Sequence, residues 1–252
     1  MNTGGHEFQE TGVTRIARMF TNARPSVVIR AIRVVSLVAL AGFAGHAADS
    51  SVREIAPGIL GIGAVRVDKA ARALTFPATV NQAEGIVEYV VVTGSGKTHE
   101  SVFATPAEPK DIHVAALLLG ARDATKSTTN NLPPALRGDA VRIEVSWETA
   151  AGERRAVALE DCVRHAETGR PLSAGPWVYN GSELRDGRFA AQAEGSVVAI
   201  IDDPQALVNN PRPGRDDDDV WRVNEPVVPP KGTAVSVTLR FAPRHQTANE
   251  HQ

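Results

Sequence analysis

Apolar and polar side chains alternate along much of this chain. Val141, Ile143, Val145 and Trp147 alternate with Arg142, Glu144, Ser146 and Glu148, the period-two pattern of a strand with one buried and one wet face. Ala150-Ala151-Gly152 then turns the chain, and Val157 and Leu159 resume the alternation, so this region reads as a hairpin. Val235, Val237, Leu239 and Phe241 repeat the pattern near the C-terminus. Further strands are expected at Ile59–Val67, Ala73–Val80, Ile86–Thr93, Thr98–Thr105, Trp177–Tyr179 and Val197–Ile201. Helical signals are few. Pro109 to Leu119, stopped by Gly120, carries Asp111 in its first turn and Ile112, Ala116 and Leu119 on one face. Leu159–Glu167 is a weaker helical segment, and Ala206–Asn209 reads as a single turn. The stretches 123–138 and 209–232, rich in Pro, Asn and Asp, read as exposed loops. The sum is an α+β fold of mostly antiparallel β-sheet, sandwich-like, with one main helix and a few short ones.

Residues 24–48 break this pattern. Arg24, Arg30 and Arg33 precede an uncharged run from Val34 to Phe43, followed by Ala44-Gly45-His46-Ala47-Ala48. A basic region, a short apolar core and a small-residue exit describe a secretory signal peptide, cleaved near Ala47 or Ala48. An apolar core of about ten residues is half of what a bilayer-spanning helix needs. The signal therefore spans residues 19–48 and begins at Met19. Residues 1–18 read as a dispensable extension or a mis-assigned start. The expected layout is then a single domain over residues 49–243 and a disordered polar tail over 244–252. The protein is expected in the periplasm or secreted, with no stable membrane span after processing.

Composition narrows the chemistry. Cys162 is the only cysteine, so the chain forms no intramolecular disulfide and holds no iron–sulfur cluster. The segment before the cleavage site carries five Arg against two Glu, so the formal charge of −2 becomes −5 on its removal. A mildly acidic chain without a basic run argues against a nucleic-acid partner.

Each chemical motif competes with a plainer reading. Thr93-Gly94-Ser95-Gly96-Lys97-Thr98 resembles the end of a phosphate-binding loop, but Val91 stands where the motif requires glycine. The segment is read as a hairpin turn. Neither Gly94-Ser95-Gly96 nor Asn180-Gly181-Ser182 satisfies the nucleophile-elbow pattern. His99, Glu100 and His113 group the histidines and carboxylates that would converge on a divalent metal, although His99 and Glu100 point to opposite faces of a strand. Asp203, Asp217 and Asp218 offer oxygen ligands for a cation or for ordering a loop, without calcium-loop spacing. Trp177 and Tyr179 share one face of a short strand and are either a ligand-stacking platform or core.

Several segments together resemble one family. They are Phe76-Pro77-Ala78-Thr79-Val80-Asn81, Gly96-Lys97-Thr98-His99-Glu100-Ser101, Leu117-Leu118-Leu119-Gly120, Trp177-Val178-Tyr179-Asn180-Gly181-Ser182, Asp203-Pro204-Gln205-Ala206-Leu207 and Asp217-Asp218-Asp219-Val220-Trp221-Arg222-Val223-Asn224. In order and spacing they resemble the exported bacterial YdjY-domain proteins over residues 60 to 242. That resemblance implies one compact domain and carries over no catalytic residue. The leading expectation is a non-enzymatic binding or scaffold protein of the bacterial envelope, with an envelope protein or a glycan as partner. A metal-binding protein or metal-dependent hydrolase using His99 or Glu100, His113 and an aspartate comes second. A carbohydrate-binding module built on Trp177 and Tyr179 comes third.

Overall fold

A computed structural model of the chain describes residues 51–127 and 131–242. The expected signal peptide, the expected extension before it and the expected polar tail lie outside the described residues. The strands are β1 (Arg53–Ala56), β2 (Ile59–Ile62), β3 (Val65–Asp68), β4 (Ala73–Val80), β5 (Tyr89–Thr93), β6 (Ser101–Thr105), β7 (Asp139–Glu148), β8 (Arg154–Ala158), β9 (Val163–His165), β10 (Trp177–Tyr179), β11 (Leu184–Arg185), β12 (Arg188–Phe189), β13 (Ser196–Ala199), β14 (Val208–Asn209), β15 (Trp221–Val223) and β16 (Ala234–Phe241). Two α-helices are described, α1 (Pro109–Leu118) and α2 (Ala190–Glu194).

The expected sandwich-like antiparallel sheet is corrected by the pairing. Strands run in the order β4-β16-β7-β10-β14-β13-β5-β6, and β6 returns to pair with β4. The sheet therefore closes into an eight-stranded barrel, with β1, β2, β3 and β8 attached outside the ring. Closure removes the free edges that a sandwich would keep. The barrel is mixed, because β5 runs parallel to β6 and β13 runs parallel to β14.

Both parallel pairs arise from short crossovers, over residues 94–100 and 200–207. Parallel neighbours usually need about a dozen connecting residues or more, so local patterning favours a hairpin at each place. The expected hairpin turn at Gly94-Ser95-Gly96-Lys97 is instead the first of these crossovers. Gly96 and Gly195 make it fit by letting two backbones touch. A Cβ on Gly96 would lie 2.9 Å from the Gly195 carbonyl oxygen, and Gly195 has φ of 71° at the end of α2.

The core is built in rows across the ladders. Phe76, Val237 and Val145 are directly paired across β4, β16 and β7, and Leu74, Leu239 and Ile143 form the next row. Phe241, Val141 and Trp177 continue it onto β10. All nine side chains are buried, so the period-two pattern encodes the barrel's inner face. Pro77 sits where β4 changes partner, from β3 at Ala73–Thr75 to β6 at Thr79–Val80. A missing N–H costs no ladder bond at that handover, and the Pro77 carbonyl accepts the Thr105 hydroxyl at 2.6 Å.

Other local readings shift for the same non-local reason. The stretch expected as one strand over 59–67 breaks at Gly63, with φ of 53°, into β2 and β3. Leu159–Glu167 is a 3-10 turn over Leu159–Cys162 followed by β9, because β15 from the expected loop 209–232 supplies a partner. Val208 and Asn209 join the barrel as β14 rather than a turn.

Candidate functional site

Several pieces of chain surround an open cavity of about 660 Å³. Helix α1 begins with Pro109, buries Ile112, Ala115 and Ala116, and leaves Lys110, His113 and Val114 toward the cavity. The segment after α1 contributes Asp123. The turn after β10 contributes Asn180-Gly181-Ser182, and the β11–β12 hairpin contributes Leu184 and Phe189.

His113 is half-buried, and its Nδ1 lies 2.7 Å from the Tyr179 hydroxyl. Its ring centroid is 5.1 Å from that of Phe189 and 6.1 Å from that of Tyr179. Burial lowers the imidazole pKa and Lys126 adds to this, while the Asp123 carboxylate opposes it. Burial, reinforced by Asp123, pushes the Tyr179 phenol far above its ordinary range, so it stays protonated. Nδ1 is the hydrogen-bond partner the described residues offer that phenol, so Tyr179 donates and Nδ1 accepts. In the neutral ring the proton then sits on Nε2, the nitrogen turned away from Tyr179.

The floor of the cavity is a tight backbone turn. Gly181 and Ser182 are consecutive left-handed residues with φ of 77° and 64°. A Cβ at Gly181 would lie 2.5 Å from the Asp123 Cβ and 3.2 Å from the His113 Cε1, so only glycine allows the three segments to meet. The Ser182 hydroxyl donates to the Gln205 carbonyl at 2.5 Å and accepts from the Ala191 amide at 3.0 Å. It is a brace, not a nucleophile.

A buried amide network holds the far wall. Asn209 Nδ2 donates to Asn180 Oδ1 at 3.0 Å and to the Asp203 carbonyl at 2.7 Å, while its Oδ1 accepts the Asp203 amide at 3.0 Å. Asn180 Nδ2 donates to the Pro204 carbonyl at 3.0 Å. The Asp203 carboxylate accepts from the Gln205 amide at 2.9 Å and from the Tyr89 hydroxyl at 3.1 Å. Lys97 in turn bonds the Tyr89 hydroxyl and lies 4.5 Å from the centre of that ring.

The residues singled out from sequence do not share one site. His113, Tyr179 and Asp203 belong to this site or the network behind it. His99 and Glu100 lie in a 3-10 turn (Thr98–Glu100), not on a strand, so their side chains meet at 3.3 Å instead of facing apart. The His99 side chain is 77% exposed. Glu88 nearby is held above its ordinary value by burial and by the charges of Glu100 and Asp218. Asp217 accepts the Asp219 amide at 3.1 Å in an exposed turn. Among the described residues no three His, Cys, Asp or Glu side chains group to hold a metal ion.

Of the two readings of Trp177 and Tyr179, the structure fits the core: both are fully buried, because β10 sits between β7 and β14 in the wall of the closed barrel. Sequence reasoning missed Asp123, Leu184 and Phe189. The signals available were Asn180-Gly181-Ser182 and the long loop 123–138, whose convergence no local pattern encodes.

The family profile of the YdjY domain matches residues 65–240. Neither a curated protein nor a solved structure matches the chain.

Proposed function

Since the chain belongs to the YdjY-domain family, we propose that its barrel serves as a non-enzymatic binding domain of the bacterial envelope, receiving its ligand in the cavity beside His113. The observation that carries this reading is the cavity's mouth. Leu184 is 76% exposed there, on a hairpin of two-residue strands, and Phe189 and Val114 continue the apolar wall. An exposed apolar surface leading into a concave site is a signature of binding. The hydroxyls at the site are already committed, Ser182 to the Gln205 carbonyl and Thr125 to Asp123, which favours holding a ligand over attacking one. Export rests on the basic, apolar and small-residue succession of residues 24–48.

The test is protein-detected NMR with apolar acids, oligosaccharides and short peptides as probes, run on the wild type and on Leu184→Asp. Response at His113 and Phe189 that disappears in the variant, with an unchanged melt, supports the reading. A variant that responds like wild type, or a cavity that answers no probe, refutes it. Sequencing the N-terminus of the protein from an envelope fraction tests the address, which predicts a start at Ala48 or Asp49.

A further inference from the structure

The lining of this cavity, taken with the binding reading above, also constrains the ligand. One wall is apolar, formed by Val114, Leu184 and Phe189. Beside it stand Lys110 and Arg137; Arg137 donates its Nε to the Leu132 carbonyl at 2.6 Å and keeps its other guanidinium donors, and neither cation enters an ion pair among the described residues. The facing Asp123 carboxylate is turned into its own loop through one oxygen, Oδ1, which accepts the Thr125 amide at 3.1 Å, the Thr125 hydroxyl at 2.5 Å and the Lys126 amide at 3.3 Å. His113, anchored by Tyr179 through Nδ1, presents Nε2–H as a fixed donor. Apolar contact on one side, and on the other an imidazole donor with two cations outside any ion pair, match one kind of molecule.

We infer that the cavity takes a small carboxylic acid with an aromatic or branched apolar body. The body rests on Phe189 and Leu184, and the carboxylate meets His113 Nε2–H with Lys110 and Arg137. The volume of about 660 Å³ suits such a molecule. A neutral isostere keeps the body and loses the charge, so the two halves of the inference separate. Binding also couples to pH. The charged groups around His113 are Lys110 on its own helix, Asp123 and Lys126 on the following segment, Arg137, and Glu183 at the rim. An added carboxylate favours imidazolium, so binding takes up protons as pH falls toward the His113 titration.

The test uses the full chain with phenylacetate and phenylacetamide as probes. Affinity is measured by calorimetry in two buffers of different ionisation enthalpy, and His113 is followed by long-range imidazole nitrogen NMR. The expected result is at least about tenfold tighter binding of the acid, a shift at Nε2, and proton uptake growing from about pH 8 to about pH 6. Lys110→Met and Arg137→Met should each weaken the acid and leave the amide unchanged. Equal binding of acid and amide at His113 overturns the carboxylate inference and leaves the binding cavity standing. Failure of both probes to perturb His113 overturns this inference, and the wider probe set above then decides the cavity's fate separately.

Discussion

Replacing Glu160 by glutamine should cost this barrel a large part of its stability. Glu160 is 5% exposed and Arg212 8%. The carboxylate accepts the Gly175 amide at 3.1 Å and the Trp177 indole N–H at 3.3 Å, and lies 3.9 Å from Arg212 Nη2. Arg212 donates to the Ser173 and Gly175 carbonyls, each at 2.6 Å, and its guanidinium lies 5.0 Å from the centre of the Trp177 ring. Burial pulls Arg212 below its ordinary value and the Glu160 charge holds it up. Glutamine keeps the shape and one acceptor, but leaves a buried cation without its counter-charge. Breaking a buried pair from one side costs about 3–5 kcal/mol; the carbonyls retained by Arg212 place this case near the lower end, about 3 kcal/mol. With a urea m-value of about 2 kcal/mol per molar, the midpoint should fall by about 1.5 M. The double variant Glu160→Gln, Arg212→Met should lose less than the sum of the two single changes, by about 1–3 kcal/mol. A single variant whose midpoint stays within about 0.3 M of wild type, or strictly additive losses, would refute the clamp.

Further outcomes follow from other contacts. Gly195→Ala places a methyl 2.8 Å from the Gly96 Cα at a φ of 71°; it should destabilise by about 2–4 kcal/mol, and a melt equal to wild type would show that the crossover is not sterically locked. The Cys162 thiol is fully buried and pushed far up by burial, so modification by a thiol reagent should track global unfolding; rapid labelling of native protein would place it at the surface. Because burial depresses the His113 pKa, the unfolded chain binds that proton first, and stability should fall as pH drops below about 6.5 toward the lower folded value. His113→Gln should flatten this part of the urea-midpoint profile between about pH 7.5 and pH 5.5; an unchanged slope assigns the effect to another group.

How much was legible depends on how locally each element is determined. β4, β10 and β16 follow from alternation because their apolar face is buried wherever the strand pairs. α1 follows from Pro109, its apolar face and Gly120. The barrel's closure is not legible, since the pairing of Thr79 with Ala104 and Val80 with Phe103 leaves no periodicity of its own. The parallel crossovers are hidden too, because Gly94-Ser95-Gly96 and Asp202-Asp203-Pro204 have ordinary turn chemistry. His113 stands out as a residue type, but Asp123 reaches it across a loop, Phe189 across the β11–β12 hairpin, and Leu184 through exposure. The tight backbone at Gly181 lets Asp123 and His113 meet.

The same crossovers explain why the cavity is where it is. Two parallel pairs force residues 94–100 and 200–207 back along the barrel wall. The second of these carries Asp203, whose carboxylate is held by Tyr89, and Pro204, which lines the cavity. The first carries Lys97, which engages Tyr89 by both its hydroxyl and its ring. Asn209, the last residue of β14, fixes Asp203 from one side and Asn180 from the other. The wall beside Gly181 is thus set by a chain of polar contacts beginning in Gly94-Ser95-Gly96-Lys97. A segment that looks built to cradle phosphate has a different physical task here. Its glycine permits the close backbone approach to Gly195, and its lysine braces the aspartate loop from behind. Rigid support of this kind suits a preformed binding site, in which ordering costs are met during folding rather than at the moment of binding.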